Sequence, residues 1–266
     1  MHDVFIAVVV GIVEGLTEFL PVSSTGHMIL AEDLLGFHGE AASVFAVFIQ
    51  LGAILSVAFL YRDKYLKLMN PADWFRKTPG LTVWHIAAGI VPVAAVGFLA
   101  HGIIKRHLFS SFTVIIGLVL GALLMLAAEK CGRKPETTDV EQMTIKQALI
   151  VGLFQILSLW PGFSRSGSTI SGGLFFGLDR KTAADFSFII ALPLMTMACV
   201  YDLAKSWSRL SGADFQMIAI GFVVSFFVAY LSVIWFLRFL NRSTLASFAY
   251  YRILLALFSY FYFFGH

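Results

Sequence analysis

The chain has 266 residues, of which 59% are hydrophobic and only 13% are charged. Soluble domains are about 25% charged, so this composition excludes an ordinary soluble domain. It indicates a helical membrane protein, because the apolar segments are continuous, whereas the strands of a membrane β-barrel alternate in polarity. The net charge of +3 is small and favours no nucleic-acid partner.

Eight apolar segments follow one another along the chain. In order, they are a broken segment at about 4–34, uninterrupted segments at about 43–61, 83–101 and 111–129, a second broken segment at about 147–178, and uninterrupted segments at about 184–203, 216–238 and 246–264. The six uninterrupted segments match the roughly 20 residues that a membrane-crossing helix needs. Each broken segment is cut by a polar cluster with Pro and Gly, so we predict two re-entrant helical hairpins around a buried polar site.

The two halves of the chain repeat the same order of elements. We expect one integral membrane domain, 1–266, made of internal repeats at about 1–140 and 141–266. A shift of 141 residues places Gly11 on Gly152, Ser23 on Ser164 and Gly26 on Gly167. Because three crossings is an odd number, the second copy should be inverted, which would bring the two broken segments together near the midplane.

The basic residues give an independent prediction of the orientation. With the first 42 residues outside, the inside carries Arg62, Lys64, Lys67, Arg76, Lys77, Lys130, Arg133, Lys134, Lys146, Arg180, Lys181, Arg238 and Arg242, and the outside carries Lys105, Arg106, Lys205 and Arg209. The positive-inside rule therefore favours both termini outside.

Two carboxylates lie on the first broken segment. Glu14 and Glu18 are four residues apart, which places them on one helix face about a turn apart. Acids inside a membrane are costly unless they are paired, protonated or metal-bound, so we expect a functional role. A shallow helix whose acids reach water is the alternative.

The polar cluster of the first segment follows directly. Pro21 ends the first helix, and Ser23, Ser24, Thr25 and His27 open the next one. Free N–H groups at a helix start suit a phosphate, and Ser24 could be a nucleophile if His27 takes its proton. The alternative is a helix cap with no chemical role.

The second cluster has a different charge. Arg165 lies between Ser164 and Ser166, and Gly167 and Thr169 continue into a helix. A planar guanidinium binds phosphate oxygens in bidentate fashion. The alternative is an Arg that is buried only to pair with an acid of the first segment.

Together the two clusters predict metal-assisted phosphoryl transfer or hydrolysis on a substrate with a lipid tail. Glu14 and Glu18 with phosphate oxygens would hold Mg²⁺ or Ca²⁺, because hard cations prefer oxygen ligands. Four other polar residues lie within the apolar segments. Gln50, His85 and Asp185 could line the cavity or satisfy broken-helix backbone, and Arg252 could be a partner of the site or a snorkelling anchor.

The stretch from Glu14 to His27, together with the stretch from Pro161 to Thr169, closely resembles the two signature motifs of the bacterial undecaprenyl pyrophosphate phosphatase family called BacA or UppP. The length and the order of the motifs match over essentially the whole chain. The resemblance implies a multi-pass enzyme of the bacterial cytoplasmic membrane that removes the terminal phosphate from undecaprenyl pyrophosphate. The product, undecaprenyl phosphate, carries precursors of peptidoglycan and other envelope polymers, and overexpression in the family is associated with bacitracin resistance.

The resemblance also implies residue roles. The family's catalytic and phosphate-binding residues map onto Glu14, Glu18, Ser24, His27 and Arg165, and we expect Ser23, Thr25, Ser164, Ser166, Gly167 and Thr169 to contact the substrate. Family members need a divalent cation, are built as inverted repeats and present the site to the outer face. A homodimer is a further expectation. The second segment carries Gln155 and Ser158 and no acids that match Glu14 and Glu18, so the site should be asymmetric.

Two questions stay open at the level of sequence. The attacking group could be Ser24, His27 or a metal-bound water. The alternative function is a transporter or flippase of undecaprenyl phosphate or another anion, because secondary transporters also use inverted repeats with broken helices. The pair of Ser24 and His27 favours hydrolysis, since transport does not need it.

Overall fold

The structure is a computed structural model that describes residues 2–71, 74, 80–206 and 214–265. This part of the chain is helical and contains no strand. Its α-helices are α1 (His2–Thr17), α2 (Ser24–Leu34), α3 (Glu40–Leu60), α4 (Arg62–Leu68), α5 (Val83–His107), α6 (Ser111–Cys131), α7 (Ile145–Gln155), α8 (Arg165–Phe175), α9 (Arg180–Ser206), α10 (Asp214–Leu240) and α11 (Ala246–Phe264).

Six of the described helices are long and apolar enough to cross a bilayer. Their spanning parts are Ala42–Leu60, Val83–Ile104, Ser111–Cys131, Arg180–Ala204, Phe215–Leu240 and Ala246–Phe264. They coincide with the six predicted segments and follow in the same order. The prediction of an all-α, polytopic membrane protein is therefore confirmed.

The two broken segments form pairs of short helices. The first pair is α1 and α2, with 16 and 11 residues, and the second is α7 and α8, with 11 residues each. Each of these helices is shorter than the roughly 20 residues that a crossing needs. Pro21 and Pro161 lie in the two connections, where a ring without an N–H group interrupts the helix. Re-entry from opposite faces of the membrane stays a prediction.

Long helices enclose both short pairs. Helix α1 packs on α10 and α7 packs on α5, while α2 and α8 both contact α6. Glycines permit the close approach: a Cβ atom added at Gly11 would lie 2.9 Å from the carbonyl oxygen of Gly221, and one added at Gly152 would lie 2.7 Å from that of Gly89. The two glycines that the 141-residue shift aligns thus serve the same packing role. The repeat and its inverted arrangement stay predictions.

The largest apolar core lies between α9 and its neighbours. Phe186 and Phe188 of α9 are fully buried, as are Phe236 of α10 and Phe19 of the first connection. The outer faces of the long helices are also apolar, and Phe98 of α5 is 85% exposed. An apolar surface around a packed interior fits surroundings of lipid.

Candidate active site between the two broken segments

Two serines precede α2 and α8, the second helix of each short pair, and have the same unusual backbone conformation. Ser23 has φ 71° and Ser164 has φ 72°, and they are the only residues other than glycine with positive φ in the described part of the chain. The Oγ atom of Ser23 accepts the Gly26 N–H at 3.4 Å, and that of Ser164 accepts the Gly167 N–H at 3.2 Å. Both serines are thus N-caps, and each turns the chain sharply toward the other segment.

A chain of hydrogen bonds joins the residues that follow these two caps. The Ser24 hydroxyl donates to Glu18 Oε2 at 2.6 Å, and Arg165 Nη2 donates to Glu18 Oε1 at 3.3 Å. The Glu18 side chain is 6% exposed and that of Arg165 is 10% exposed. The short distance to Ser24 is typical of a hydroxyl that donates to a carboxylate. Two distant segments therefore bring together a hydroxyl, a carboxylate and a guanidinium. The charged groups of this cluster are almost fully buried.

The guanidinium of Arg165 has further partners on α9 and the first connection. Its Nη1 atom donates to the Ser187 carbonyl oxygen at 3.2 Å, and its carbon lies 5.3 Å from the centre of the Phe19 ring. Among the residues that the structure describes, its Nε–H has no hydrogen-bond partner. A buried donor without a partner is costly, so the group retains capacity to bind an anion.

Ser166 and Thr169 of the second segment form hydrogen bonds that hold it against neighbouring elements. The Ser166 hydroxyl donates to the Leu20 carbonyl oxygen at 2.9 Å, which ties α8 directly to the first connection. The Thr169 hydroxyl donates to the Arg165 carbonyl oxygen at 2.8 Å and lies 2.7 Å from Ser187 Oγ. Both side chains are fully buried, and they hold the segment in place.

His27 makes different contacts from those expected. Its Nδ1 atom lies 2.8 Å from the Ser23 carbonyl oxygen, and its Nε2 atom lies 2.7 Å from the Tyr251 hydroxyl. The partner of the Ser24 hydroxyl is Glu18 instead. Of the two groups that could accept the Ser24 proton, the structure places the carboxylate in contact with it.

A cavity of about 340 Å³ opens beside this cluster. Of the predicted site residues, Glu18, Ser23, Ser24, Thr25, Ser164 and Arg165 line it. Ser166, Gly167 and Thr169 do not line it and lie behind its wall in the hydrogen bonds described above. Apolar residues also line it, among them Val93 and Phe98 of α5 and Leu194 of α9. A charged head and an apolar tail could both be accommodated here.

Glu14 lies one turn before Glu18 and is 3% exposed. Two neighbouring carboxylates are a donor set that suits a hard cation, because Mg²⁺ and Ca²⁺ prefer oxygen ligands. Among the residues that the structure describes, no three His, Cys, Asp or Glu side chains come together as a metal-binding group. Both acids are donors that suit such a cation, but Glu18 lines the cavity and Glu14 does not. Only Glu18 therefore faces the space where oxygens of another molecule would complete its coordination.

Arg252 is fully buried, which excludes the snorkelling role. Its Nη2 atom donates to the carbonyl oxygens of Gly117, Gly162 and Phe163 at 3.1, 2.8 and 3.0 Å. Two of these carbonyls belong to the connection that leads to Ser164. Arg252 thus holds that connection against α6 by charge-assisted hydrogen bonds.

The other polar residues within the apolar segments separate into two groups. Gln50 lines the cavity, as one of the alternatives predicted. His85 instead caps α5 with Thr82 and bonds to the Met143 carbonyl oxygen at 2.9 Å. Asp185 accepts the Tyr61 hydroxyl and lines a different cavity. Neither His85 nor Asp185 lines the cavity beside Ser24.

Sequence reasoning missed two residues of this region. Ser187 binds Arg165, and its only signal was a polar residue within an apolar helix. Tyr251 binds His27 from a helix that lies far along the chain, with 224 residues separating the two positions. Neither contact follows from a local motif, because each depends on how distant helices pack.

Comparisons with known proteins identify the family of the chain. The family model "Bacitracin resistance protein BacA" matches residues 7–258. The protein called undecaprenyl-diphosphatase 1 from Bacillus thuringiensis (strain Al Hakam) is 51% identical over 257 residues, which is 97% of each chain. The undecaprenyl-diphosphatase of Geobacillus kaustophilus (strain HTA426) is 47% identical over 276 residues, which is 99% of this chain and 100% of the relative. By this similarity over nearly its whole length, the chain belongs to the BacA family.

Proposed function

We propose that this chain hydrolyses undecaprenyl pyrophosphate to undecaprenyl phosphate and inorganic phosphate. The names of its relatives give the reaction and the substrate. The observation that carries the proposal is the 2.6 Å hydrogen bond from the Ser24 hydroxyl to Glu18. This pair lies beside Arg165 at a cavity that both polar and apolar residues line. A nucleophile with its base and an anion-binding group are the parts that phosphate hydrolysis requires.

Ser24 is the attacking group in this proposal. Its oxygen forms a bond to the terminal phosphorus while its proton passes to Glu18, and the bond from phosphorus to the bridging oxygen breaks. Undecaprenyl phosphate leaves with that electron pair, and Glu18 releases its proton to the solvent. Water then attacks the phosphoserine and gives one proton to Glu18, inorganic phosphate leaves, and the Ser24 oxygen regains a proton.

Arg165 and the two helix starts stabilise the negative charge. The guanidinium Nε–H has no partner within the described part of the chain, and α2 and α8 begin at Ser24 and Arg165. Their free N–H groups and positive dipole ends favour a bound phosphate. These groups are in place before the reaction, so they stabilise the transition state without rearrangement.

The structure supports Ser24 over His27 as the nucleophile. Both ring nitrogens of His27 have hydrogen-bond partners other than Ser24, and the ring does not line the cavity. Attack by a metal-bound water is the remaining alternative, and it would leave the contact between Ser24 and Glu18 without a chemical purpose.

A divalent cation belongs to this proposal. Glu14 and Glu18 would hold Mg²⁺ or Ca²⁺ together with oxygens of the pyrophosphate. When bound, such a cation neutralises phosphate charge.

The location of the enzyme is also a proposal. The family and the six apolar helices make the chain a multi-pass membrane protein. We expect it in the bacterial cytoplasmic membrane, with the cavity open to the outer face, on the basis of the distribution of Lys and Arg. A homodimer stays a prediction.

The test is phosphate release from undecaprenyl pyrophosphate by detergent-purified protein. We expect release with Mg²⁺ or Ca²⁺, loss of release with a chelator, and a loss of at least about 100-fold in Arg165→Ala, since one such donor is worth about 10²–10³ in rate. Arg242→Ala, a change of the same type at an exposed position, is the control. No release from folded wild-type protein would favour the transporter instead.

A further inference from the structure

Hydrogen bonds from two directions fix the protonation of the His27 ring. The Ser23 carbonyl oxygen, 2.8 Å from Nδ1, can only accept, so Nδ1 carries the proton. In the neutral ring Nε2 then has a free lone pair, and the Tyr251 hydroxyl at 2.7 Å donates to it. The tautomer with the proton on Nδ1 is the one that satisfies both partners.

This tautomer matters for the placement of Ser24. The carbonyl that His27 binds belongs to the peptide between Ser23 and Ser24. The same residue, Ser23, has the positive φ of 71°, a conformation that persists only when its surroundings hold it. With the proton on Nε2 instead, the ring could not donate to this carbonyl. The Nδ1–H bond thus holds the peptide that carries the nucleophile.

Neighbouring residues fix the position of Tyr251 on α11. Its ring stacks on that of His27, with centres 5.7 Å apart and planes 10° apart. The next residue, Arg252, is fully buried and bonded to three carbonyl oxygens. A Cβ atom added at Gly121 of α6 would collide with that guanidinium. Helix α11 therefore presents the Tyr251 hydroxyl at a fixed position.

We propose that Tyr251 is a positioning residue that, together with the Ser23 carbonyl, holds His27 as the Nδ1–H tautomer and so helps to set the position of Ser24. The effect on catalysis rests on the proposed function, and the effect on the tautomer does not. Arg252 is the charged group that acts on His27, and it stays unchanged in the variants described below.

The direct test is the tautomer of His27 in protein labelled with ¹⁵N-histidine in detergent micelles. The His27 signal is identified by its absence in His27→Gln. We expect wild-type protein to show the proton on Nδ1, and Tyr251→Phe, which keeps the ring, to show a shift of population toward Nε2. Tyr250→Phe is the matched control, because Tyr250 is the exposed neighbour on the same helix. The control should retain the wild-type spectrum.

Activity gives the second readout. We expect Tyr251→Phe to lower kcat by about five- to tenfold, the effect of one lost hydrogen bond, with KM changed less than about twofold. An unchanged tautomer in Tyr251→Phe, or an equal change in Tyr250→Phe, would overturn the proposal. No phosphate release from wild-type protein would instead contradict the proposed function, while the spectra would still decide the role of Tyr251.

Discussion

At the scale of single residues, the site depends on side chains that hold strained or close-packed backbone. Ser23 and Ser164 have positive φ, which costs on the order of 1–3 kcal/mol for each residue. The sequence predicts both serines and both helix starts, because polar residues beside Pro and Gly stand out within apolar segments. It does not predict Tyr251, because that contact depends on where α11 packs.

The pair of Gly121 and Arg252 provides a test at this scale. We expect Gly121→Ala to lower the free energy of unfolding by about 1–3 kcal/mol, the usual cost of overpacking, because the new methyl group would displace the Arg252 guanidinium. Thermal unfolding in detergent measures the change.

Gly102→Ala is the matched control for this substitution. No atom of the described residues lies within 4 Å of a Cβ atom added at Gly102, and alanine favours a helix over glycine by about 0.5–1 kcal/mol. The control should leave the melting temperature unchanged or slightly raised. Equal destabilisation by both substitutions would show that Arg252 does not require the space at Gly121.

At the scale of elements, the sequence predicts the helices better than their ends. The spans follow from the length of apolar segments, whereas α9 begins at Arg180 and not near residue 184. The first turn of α9, before residue 184, is polar, so hydropathy does not detect it. The Asp179 side chain caps this turn by accepting the Thr182 N–H at 2.7 Å. Contacts between loops are likewise absent from the sequence prediction.

One such contact joins three elements through Glu141. Its side chain accepts from Lys64 of α4 at 3.0 Å and from the Leu81 N–H, just before α5, at 2.9 Å. Burial alone would raise the pKa of Glu141, but these two donors outweigh burial, and its pKa lies below the ordinary value. The contact therefore stabilises the fold when Glu141 is ionised.

The pH dependence of this contact has a definite sign. We expect Glu141→Gln to lower the melting temperature at pH 7. The difference from wild type should be fully present above the ordinary Glu pKa of about 4.3 and should vanish as the pH falls through the lower folded-state pKa. Glu136→Gln, at an exposed glutamate nearby, is the control. A difference that persists at acid pH would contradict an ionic role for Glu141.

At the scale of the whole molecule, the predicted repeat places the two polar clusters at equivalent positions. The 141-residue shift that aligns Ser23 with Ser164 also places Ser24 on Arg165, the first helical residue after each cap. It places Glu14 on Gln155. In the proposed mechanism, the first segment thus provides the nucleophile and the acids, while the second provides the anion-binding guanidinium at the corresponding position.

The orientation of the molecule predicts which loops reagents can reach. In a Cys131→Ser background, which removes the exposed native cysteine, we expect an impermeant maleimide to label His107→Cys in intact cells and Thr138→Cys only after lysis. Both positions are exposed, and the distribution of Lys and Arg places them on opposite faces. The reverse pattern of labelling would overturn the predicted orientation.

In the proposed reaction, Ser24 is activated by Glu18 and attacks the pyrophosphate. The most direct measurement compares phosphate release by Ser24→Ala and Ser158→Ala, since both serines line the same cavity and only Ser24 contacts Glu18. We expect Ser24→Ala to lose about 10³-fold or more in kcat, as for other serine nucleophiles, and Ser158→Ala to stay within about threefold of wild type. More than a tenth of wild-type turnover in folded Ser24→Ala would contradict the account.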